Sequence, residues 1–149
     1  MTQNIDMAAL VAGAGDAVVA CNAGGEIILW NAAAERIFGY TAAEALGQSL
    51  DLIIPERLRQ RHWDGYNKTM ETGITKYGAD LLRVPATDKA GKAMSIAFTV
   101  SMLLTPENKV DAIVSIIRDE TGRFNEDRAM RKRMAELEAQ LASADRSPN

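Results

Sequence analysis

The chain has 149 residues, of which 47% are hydrophobic and 25% are charged, and this composition is typical of a single soluble globular domain. Seventeen basic and twenty acidic side chains give a formal charge of −3, so no global positive field is present to hold nucleic acid or an acidic membrane surface. The apolar runs are far shorter than the roughly 20 residues of a membrane span, and the N-terminus lacks the pattern of a secretion signal. We therefore expect a cytoplasmic protein that binds neither nucleic acid nor membrane.

Cysteine and histidine are scarce, with one of each in the chain, Cys21 and His62. A single cysteine excludes an intramolecular disulfide, and the pair is too small a set for a structural zinc site. Any metal is therefore expected to arrive inside a cofactor. The carboxylates form no recognisable acid–base pair and no phosphate-binding glycine loop is present, so we expect a protein that is not an enzyme.

The first elements in chain order are a short helix and a hairpin. Residues 7–12 are apolar and precede Gly13, which indicates a short helix within an N-terminal cap over residues 1–15. The runs 17–21 and 26–30 are rich in β-branched residues, and the sequence Asn-Ala-Gly-Gly separates them. This pattern predicts two strands joined by a tight turn.

Three helices are predicted next, each from a start signal. Asn31 can cap a helix over residues 32–38, and Thr41 with Glu44 forms a capping box for a second short helix. Pro55 followed by an acidic residue is typical of a helix start, and the third helix is predicted to run to Glu71 and to carry His62.

The second half of the domain has the texture of an antiparallel sheet. Strands are predicted at residues 81–84, 94–100 and 112–117, with turns at 88–91 and 106–109. Together with the first hairpin they give a five-stranded antiparallel sheet with helices inserted between strands two and three, an α+β arrangement.

A charged tail follows Asp119, with apolar residues at spacings of four, three and four. This spacing is a heptad seam and predicts a coiled-coil helix over residues 122–142. Two heptads are too few for an isolated coiled coil but can extend a dimer interface. Residues 143–149 are small and polar and are expected to be disordered. The seam residues are Met130, Met134, Leu137 and Leu141.

Four segments in a fixed order carry a family resemblance. They are Ile-Leu-Trp-Asn-Ala-Ala-Ala-Glu-Arg-Ile-Phe-Gly-Tyr at 28–40, Glu-Ala-Leu-Gly-Gln at 44–48, Pro-Glu at 55–56, and Ile-Arg-Asp-Glu-Thr at 117–121. With these motifs the run 16–121 resembles a PAS domain. The resemblance implies a sensory domain with a ligand pocket between the sheet and the central helices. It also implies that the tail helix is similar to the signalling helix that leads from a PAS domain to an output domain or a partner.

The flavin photosensors of the LOV type resemble this fold but carry a reactive cysteine on a central helix. The helix over residues 55–71 contains no cysteine, so FMN of the LOV type is not expected. Cys21 lies on the first strand, where a small apolar side chain is usually part of the packing.

The sequence is also similar to the haem-PAS sensors of nitrogen-fixation oxygen-sensor kinases. In those proteins the proximal histidine follows a proline at the helix start by seven positions, and Pro55 and His62 have this spacing. The resemblance implies haem b with His62 as the axial iron ligand, since a neutral imidazole binds haem iron. Tyr66 and Met70, one and two turns later, would line the proximal face. A register shift of one residue would instead place Trp63 at the ligand position.

The distal side of the implied haem pocket is a strand that in the family often carries an arginine. Counting back from the turn at 88–91 places Leu82 at that position, and Arg83 then faces outward; it would face inward only if the hairpin were one residue longer. The predicted distal pocket is apolar and consists of Leu82, Val100 and Ile116.

The resulting hypothesis is a sensory PAS protein that forms a homodimer and responds to a diatomic gas or to redox state through changes in dimer packing. Its partner would be a downstream signalling protein or a fused output domain. The alternative is a haem-free PAS dimerisation or protein-interaction module, or a binder of a small apolar metabolite.

Overall fold

The computed structural model describes residues 3–75 and 78–146. The chain divides at Asp119 and Glu120 into two compact units, a sheet domain and a C-terminal helix, and each is described by itself. The elements of the sheet domain are α1 (Met7–Gly13), β1 (Ala17–Asn22), β2 (Ile27–Trp30), α2 (Ala32–Phe38), α3 (Ala42–Ala45), α4 (Glu56–Thr72), β3 (Leu82–Thr87), β4 (Ala93–Leu104) and β5 (Val110–Asp119).

The sheet has five strands in the order β2-β1-β5-β4-β3, and every neighbouring pair is antiparallel. The helices α2, α3 and α4 are inserted between β2 and β3. The predicted five-stranded α+β fold is therefore confirmed.

Local signals act at the ends of the elements as the sequence predicts. In the β1–β2 turn, Asn22 Oδ1 accepts the backbone N–H groups of Gly24 and Glu26, each at 3.0 Å. The capping box is present, with Thr41 and Glu44 bonded to each other's backbone N–H. These short-range bonds explain why turn and helix starts can be located from a few adjacent residues.

A buried asparagine holds the cap region to the domain. Asn31 Oδ1 accepts the N–H groups of Ala34 and Val18 at 3.0 and 2.9 Å. Its Nδ2 donates to the carbonyls of Val11 and Asp16 at 2.9 and 3.1 Å. Asn31 thus caps α2 and also fixes the segment that leads from α1 into β1.

The strands of the second half are longer than predicted. β3 begins at Leu82 and runs through Pro85 to Thr87, and β4 and β5 are 12 and 10 residues long. A 3-10 helix over Leu50–Ile53 was not predicted. Ser49 caps its start, because the Ser49 hydroxyl accepts the N–H of Asp51.

The core lies between one face of the sheet, here called the inner face, and the inserted helices. In β1, β4 and β5 every second side chain points to this face, because successive side chains of a strand point to opposite faces of the sheet. They form one contiguous cluster with the helices, and its buried members include Val19, Cys21, Ile96, Ile113, Ile117, Trp30, Phe38, Ile53 and Tyr66.

The second unit contains α5, over Thr121–Asp145. Every residue of this helix is described, and none of them is buried. The helix continues through Asp145 and so includes residues 143–145 of the predicted tail, while residues 147–149 lie outside the described part of the chain.

Candidate functional site

The candidate site is a cluster of aromatic rings in the middle of α4. The rings of His62 and Trp63 meet edge to face with centroids 4.5 Å apart. Tyr66 lies one turn on, with its ring centroid 5.9 Å from His62 and 5.1 Å from Trp63. Residues four apart on a helix share a face, so Tyr66 and His62 point to the same side of α4.

Trp63 anchors α4 against the hairpin. Its indole Nε1 donates to Asp51 Oδ1 at 2.7 Å, and its six-membered ring lies over Gly25 in the β1–β2 turn. A Cβ atom at Gly25 would lie only 2.7 Å from ring carbons of Trp63. The tryptophan therefore needs a glycine below it, and this contact fixes the distance between α4 and the hairpin.

Tyr66 makes the second link between α4 and β1. Its side chain is buried, and its hydroxyl donates to the backbone carbonyl of Asn22, the last residue of β1. Burial raises the pKa of Tyr66, and the nearby Cys21 thiol adds to the rise. The phenol is therefore protonated at neutral pH and acts as a hydrogen-bond donor.

His62 is the one ionisable base in this cluster, and it is only partly exposed. Its Nδ1 atom is buried and has no hydrogen-bond partner among the described residues. Burial lowers the pKa of His62, and the carboxylate of Asp51 opposes part of this change. The imidazole is therefore neutral at pH 7, the form that binds a metal ion or accepts a proton.

The remaining predicted site residues lie in two different places. Met70 is half-buried and packs against the core from α4. Leu82 pairs with Phe98 on the neighbouring strand, and Val100 follows Phe98 by two positions, so all three side chains belong to the inner face. The structure thus brings Leu82 and Val100 to the face on which α4 packs.

Ile116 does not belong to that face. It pairs with Thr99, whose side chain points to the opposite face of the sheet from that of Val100, and the Ile116 side chain is 47% exposed. The buried neighbour Ile117 points to the core instead. The prediction that Ile116 lines the pocket is therefore wrong. Arg83 pairs with Ala97, on the face opposite to Leu82, as the turn position predicts.

The side chain of His62 fits a haem as an iron ligand, whereas the residues packed around it do not. The donor fits, because a neutral imidazole with an unpartnered buried nitrogen is available. The surroundings do not fit as packed: the imidazole lies against Trp63 and Tyr66, whose polar atoms are bonded to Asp51 and Asn22. Partly buried Met70, Phe98 and Val100 join the same contiguous cluster. A porphyrin at His62 would have to displace these side chains.

Cys21 is a packing residue in the core rather than a reactive one. It is 3% exposed, and burial raises the pKa of its thiol to about 11. A thiol with a raised pKa is almost entirely protonated at neutral pH and is a poor nucleophile. Within the part of the chain that the structure describes, no group of three or more His, Cys, Asp or Glu side chains could hold a metal ion.

Sequence reasoning missed the partners of the aromatic cluster. Asp51, Asn22 and Gly25 bond or contact α4 residues that are 12 to 44 positions away. The glycine pair in the turn predicts a hairpin, which the structure confirms, and Gly25 also permits the approach of Trp63. No local pattern at Asp51 identifies it as the acceptor of a tryptophan N–H.

The comparisons identify the family. The family model for the PAS fold matches residues 5–119, and the chain therefore belongs to the PAS family of sensory and signalling domains. A search of curated proteins finds no match.

Solved structures agree with this fold. A PAS domain of a protein from Colwellia psychrerythraea is 21% identical with a TM-score of 0.68, over 78% of this chain and 95% of that one. A sensory box histidine kinase/response regulator from Burkholderia thailandensis is 20% identical with a TM-score of 0.63, over 89% and 98%. An RNA-binding light-oxygen-voltage receptor is 18% identical with a TM-score of 0.69, over 87% of this chain and 36% of that one.

The helices were also compared with the requirements of a membrane span. None of those in the described ranges is long and apolar enough to cross a bilayer.

Proposed function

We propose that this PAS domain passes a change of state on the α4 side of its sheet to α5, and that α5 pairs with the same helix of a second copy. The observation that supports this proposal is the exposure of the predicted seam. Its four apolar side chains are between 42% and 68% exposed, although large apolar side chains at heptad spacing normally pack against a partner helix. The four residues are Met130, Met134, Leu137 and Leu141.

The connection between sheet and helix supports a route for the signal. β5 is the middle strand of the sheet, paired with β1 on one side and with β4 on the other. It ends at Asp119, and α5 begins at Thr121. Only Glu120 separates them, so a shift of β5 reaches the helix through a single residue. A ligand that binds one arrangement of the sheet more tightly than another would thereby favour one of two arrangements of the paired helices.

The molar mass of the full chain in solution tests the pairing. Leu137 occupies a seam position, and Ala139, two positions on, lies on the outer side of the same helix. We expect a dimer that Leu137→Asp converts to monomer, because two carboxylates would face each other in the seam. Ala139→Asp should remain dimeric. A dimer that survives Leu137→Asp, or a chain that is monomeric at all concentrations, contradicts the proposal.

The role that we propose is non-catalytic, with a downstream signalling protein or an output domain as the receiver. For the input, haem b at His62 with a diatomic gas or redox change stays a prediction, and the neutral, unpartnered imidazole is the observation in its favour. The packing around His62 favours the alternative, a haem-free module or a binder of a small apolar molecule.

Absorption spectra after hemin addition separate these inputs. The protein is measured oxidised, reduced, and reduced under carbon monoxide, together with His62→Ala and Trp63→Phe. Haem binding is supported by a sharp Soret band whose position differs among the three states. The band must be lost in His62→Ala and retained in Trp63→Phe. A spectrum of free hemin, or one that His62→Ala leaves unchanged, rejects haem at this site.

A further inference from the structure

Charged side chains flank the apolar seam of α5. Met130 and Leu137 occupy the d positions of the heptad repeat, and Met134 and Leu141 occupy the a positions. These four assignments fix the heptad position of every other residue of the helix. The seam begins at Met130, because the seam positions that precede it are charged. The residues that border the apolar layers are then those at the e and g positions.

Four charged residues, two of each sign, occupy e and g positions beside the seam. Glu126 and Arg133 are at g, Arg131 and Glu138 are at e, and all four are exposed. Within residues 3–75 and 78–146, the chain forms an ion pair at only one of the four, from Arg133 to Glu136 at 3.5 Å. Its side chains are 63% and 49% exposed, and such a surface pair contributes little to stability. The four charges are therefore available to a second helix.

A parallel, in-register pair of α5 helices would join these charges in complementary contacts. In this arrangement a g residue of one helix lies beside the e residue five positions later in the other. Arg133 then meets Glu138 of the second copy, and Glu126 meets Arg131 of the second copy. Each contact occurs twice, because the two-fold axis of a symmetric dimer repeats it. All four contacts join opposite charges.

An antiparallel pair would use the same charges less fully. When one helix is reversed and the apolar layers still match, g positions lie beside g positions and e positions beside e positions. Arg133 would then lie beside the uncharged Gln140 of the second copy. Only the contact between Arg131 and Glu138, repeated once by symmetry, would join opposite charges. The parallel pair thus has twice as many attractive contacts, and the charge pattern favours it.

We propose that Arg133 and Glu138, together with Glu126 and Arg131, select the partner of α5, which is a second copy of this chain in parallel and in register. This inference rests on the proposed function, because it concerns the same seam, and it adds the residues that decide which helix is accepted and in which direction. Opposite charges at e and g positions set partner choice and orientation, and like charges there reject a wrong partner. A helix with a similar apolar seam but a basic residue in place of Glu138 would be rejected by Arg133.

Charge reversal on the full chain tests this selection. Arg133→Glu brings two carboxylates together at each contact with Glu138, and Glu138→Arg brings two cations together at each contact with Arg133. We expect each variant alone to have a dimer dissociation constant about tenfold higher than the parent, because two attractions become two repulsions. An equimolar mixture of the two variants has opposite charges at both contacts and should form a mixed dimer as tight as the parent dimer.

Matched controls make the same charge changes on the outer side of the helix. Lys132→Glu lies at an f position, one residue before Arg133, and Glu136→Arg lies at a c position, two residues before Glu138. Both should dimerise as the parent does. Sedimentation in the analytical ultracentrifuge gives the dissociation constants, and a fluorescent label on one variant identifies the mixed dimer.

The outcomes separate this inference from the proposed function. A parent dimer that the outer variants weaken as much as Arg133→Glu does, or a mixture that pairs no better than either variant alone, overturns the selection by charge and leaves pairing through the seam in place. Normal pairing of Arg133→Glu with weakened pairing of Glu138→Arg indicates an antiparallel dimer and also overturns the inference. A parent chain that is monomeric at all concentrations refutes the proposed function, and the inference with it.

Discussion

The contact between Gly25 and Trp63 allows a quantitative test of how α4 is held on the hairpin. Gly25 has a φ of +80°, and a Cβ atom there would lie 2.7 Å from two carbons of the Trp63 ring. The left-handed backbone costs an alanine about 1–2 kcal/mol, and the forced shift of a packed ring costs about 1–3 kcal/mol more. Gly25→Ala should therefore lower the free energy of unfolding by about 2–5 kcal/mol.

Chemical denaturation of four variants separates the two contributions. Gly24→Ala is the matched control, since a Cβ there meets its nearest atoms at 3.5 and 3.6 Å, and we expect a change within about 0.5 kcal/mol. Trp63→Phe removes the ring carbons in question, so the double variant with Gly25→Ala should recover about 1–3 kcal/mol as a coupling energy. A Gly25→Ala protein as stable as Gly24→Ala, or a double variant with strictly additive effects, would refute the placement of α4.

Three further changes probe the polar atoms of the domain. His62 has a lowered pKa in the folded state, so its contribution to stability is present above the unfolded pKa and is lost as the pH falls below about 6.5, with a slope of at most about 1.4 kcal/mol per pH unit. In His62→Gln the denaturation midpoint should therefore depend less on pH between pH 7 and 5. An unchanged dependence on pH contradicts this. Tyr66→Phe removes the hydrogen bond of the phenol to the carbonyl of Asn22, which still accepts the N–H of Gly25, and should lower the free energy of unfolding by about 0.5–1.5 kcal/mol, a cost that a neutral effect in urea denaturation would disprove. Asn31→Ala removes all four bonds of this side chain, and Asn31→Asp turns a carboxylate oxygen toward the carbonyls of Val11 and Asp16 in a buried site, so we expect both variants to lose thermal stability, and an unchanged melting temperature in either contradicts this role of Asn31.

The parts of the fold that could be predicted depend on short-range interactions. The asparagine of the β1–β2 turn bonds residues two and four positions on, and Thr41 bonds Glu44 three positions on. Such bonds form between residues that are adjacent in the sequence, so their signals are visible there. The five strands and the inserted helices follow from these boundaries.

The error at Ile116 has a different origin. In the stretch Ile113-Val114-Ser115-Ile116-Ile117, apolar residues occur at both odd and even positions. A pattern of period two cannot then assign a face, and only the pairing with β4 does so. The bonds of Asp51 and Asn22 to α4 were missed for a related reason, since they join residues distant in the sequence.

The seam of α5 was predicted from its spacing, and the structure adds that its side chains are exposed within a helix that has no buried residue. An isolated helix of this length gains little from propensity alone. A partner for the seam is therefore the feature on which the signalling account depends.

Cross-linking through the seam tests that account most directly. Leu137→Cys places a thiol in the seam, Ala139→Cys places one on the outer side of the same helix, and the buried Cys21 is common to both proteins. Under mild oxidation the account predicts rapid and nearly complete disulfide-linked dimer for Leu137→Cys and little for Ala139→Cys, because paired seam positions meet the short distance that a disulfide requires. Equal cross-linking of the two variants, or none in either, would contradict pairing through α5.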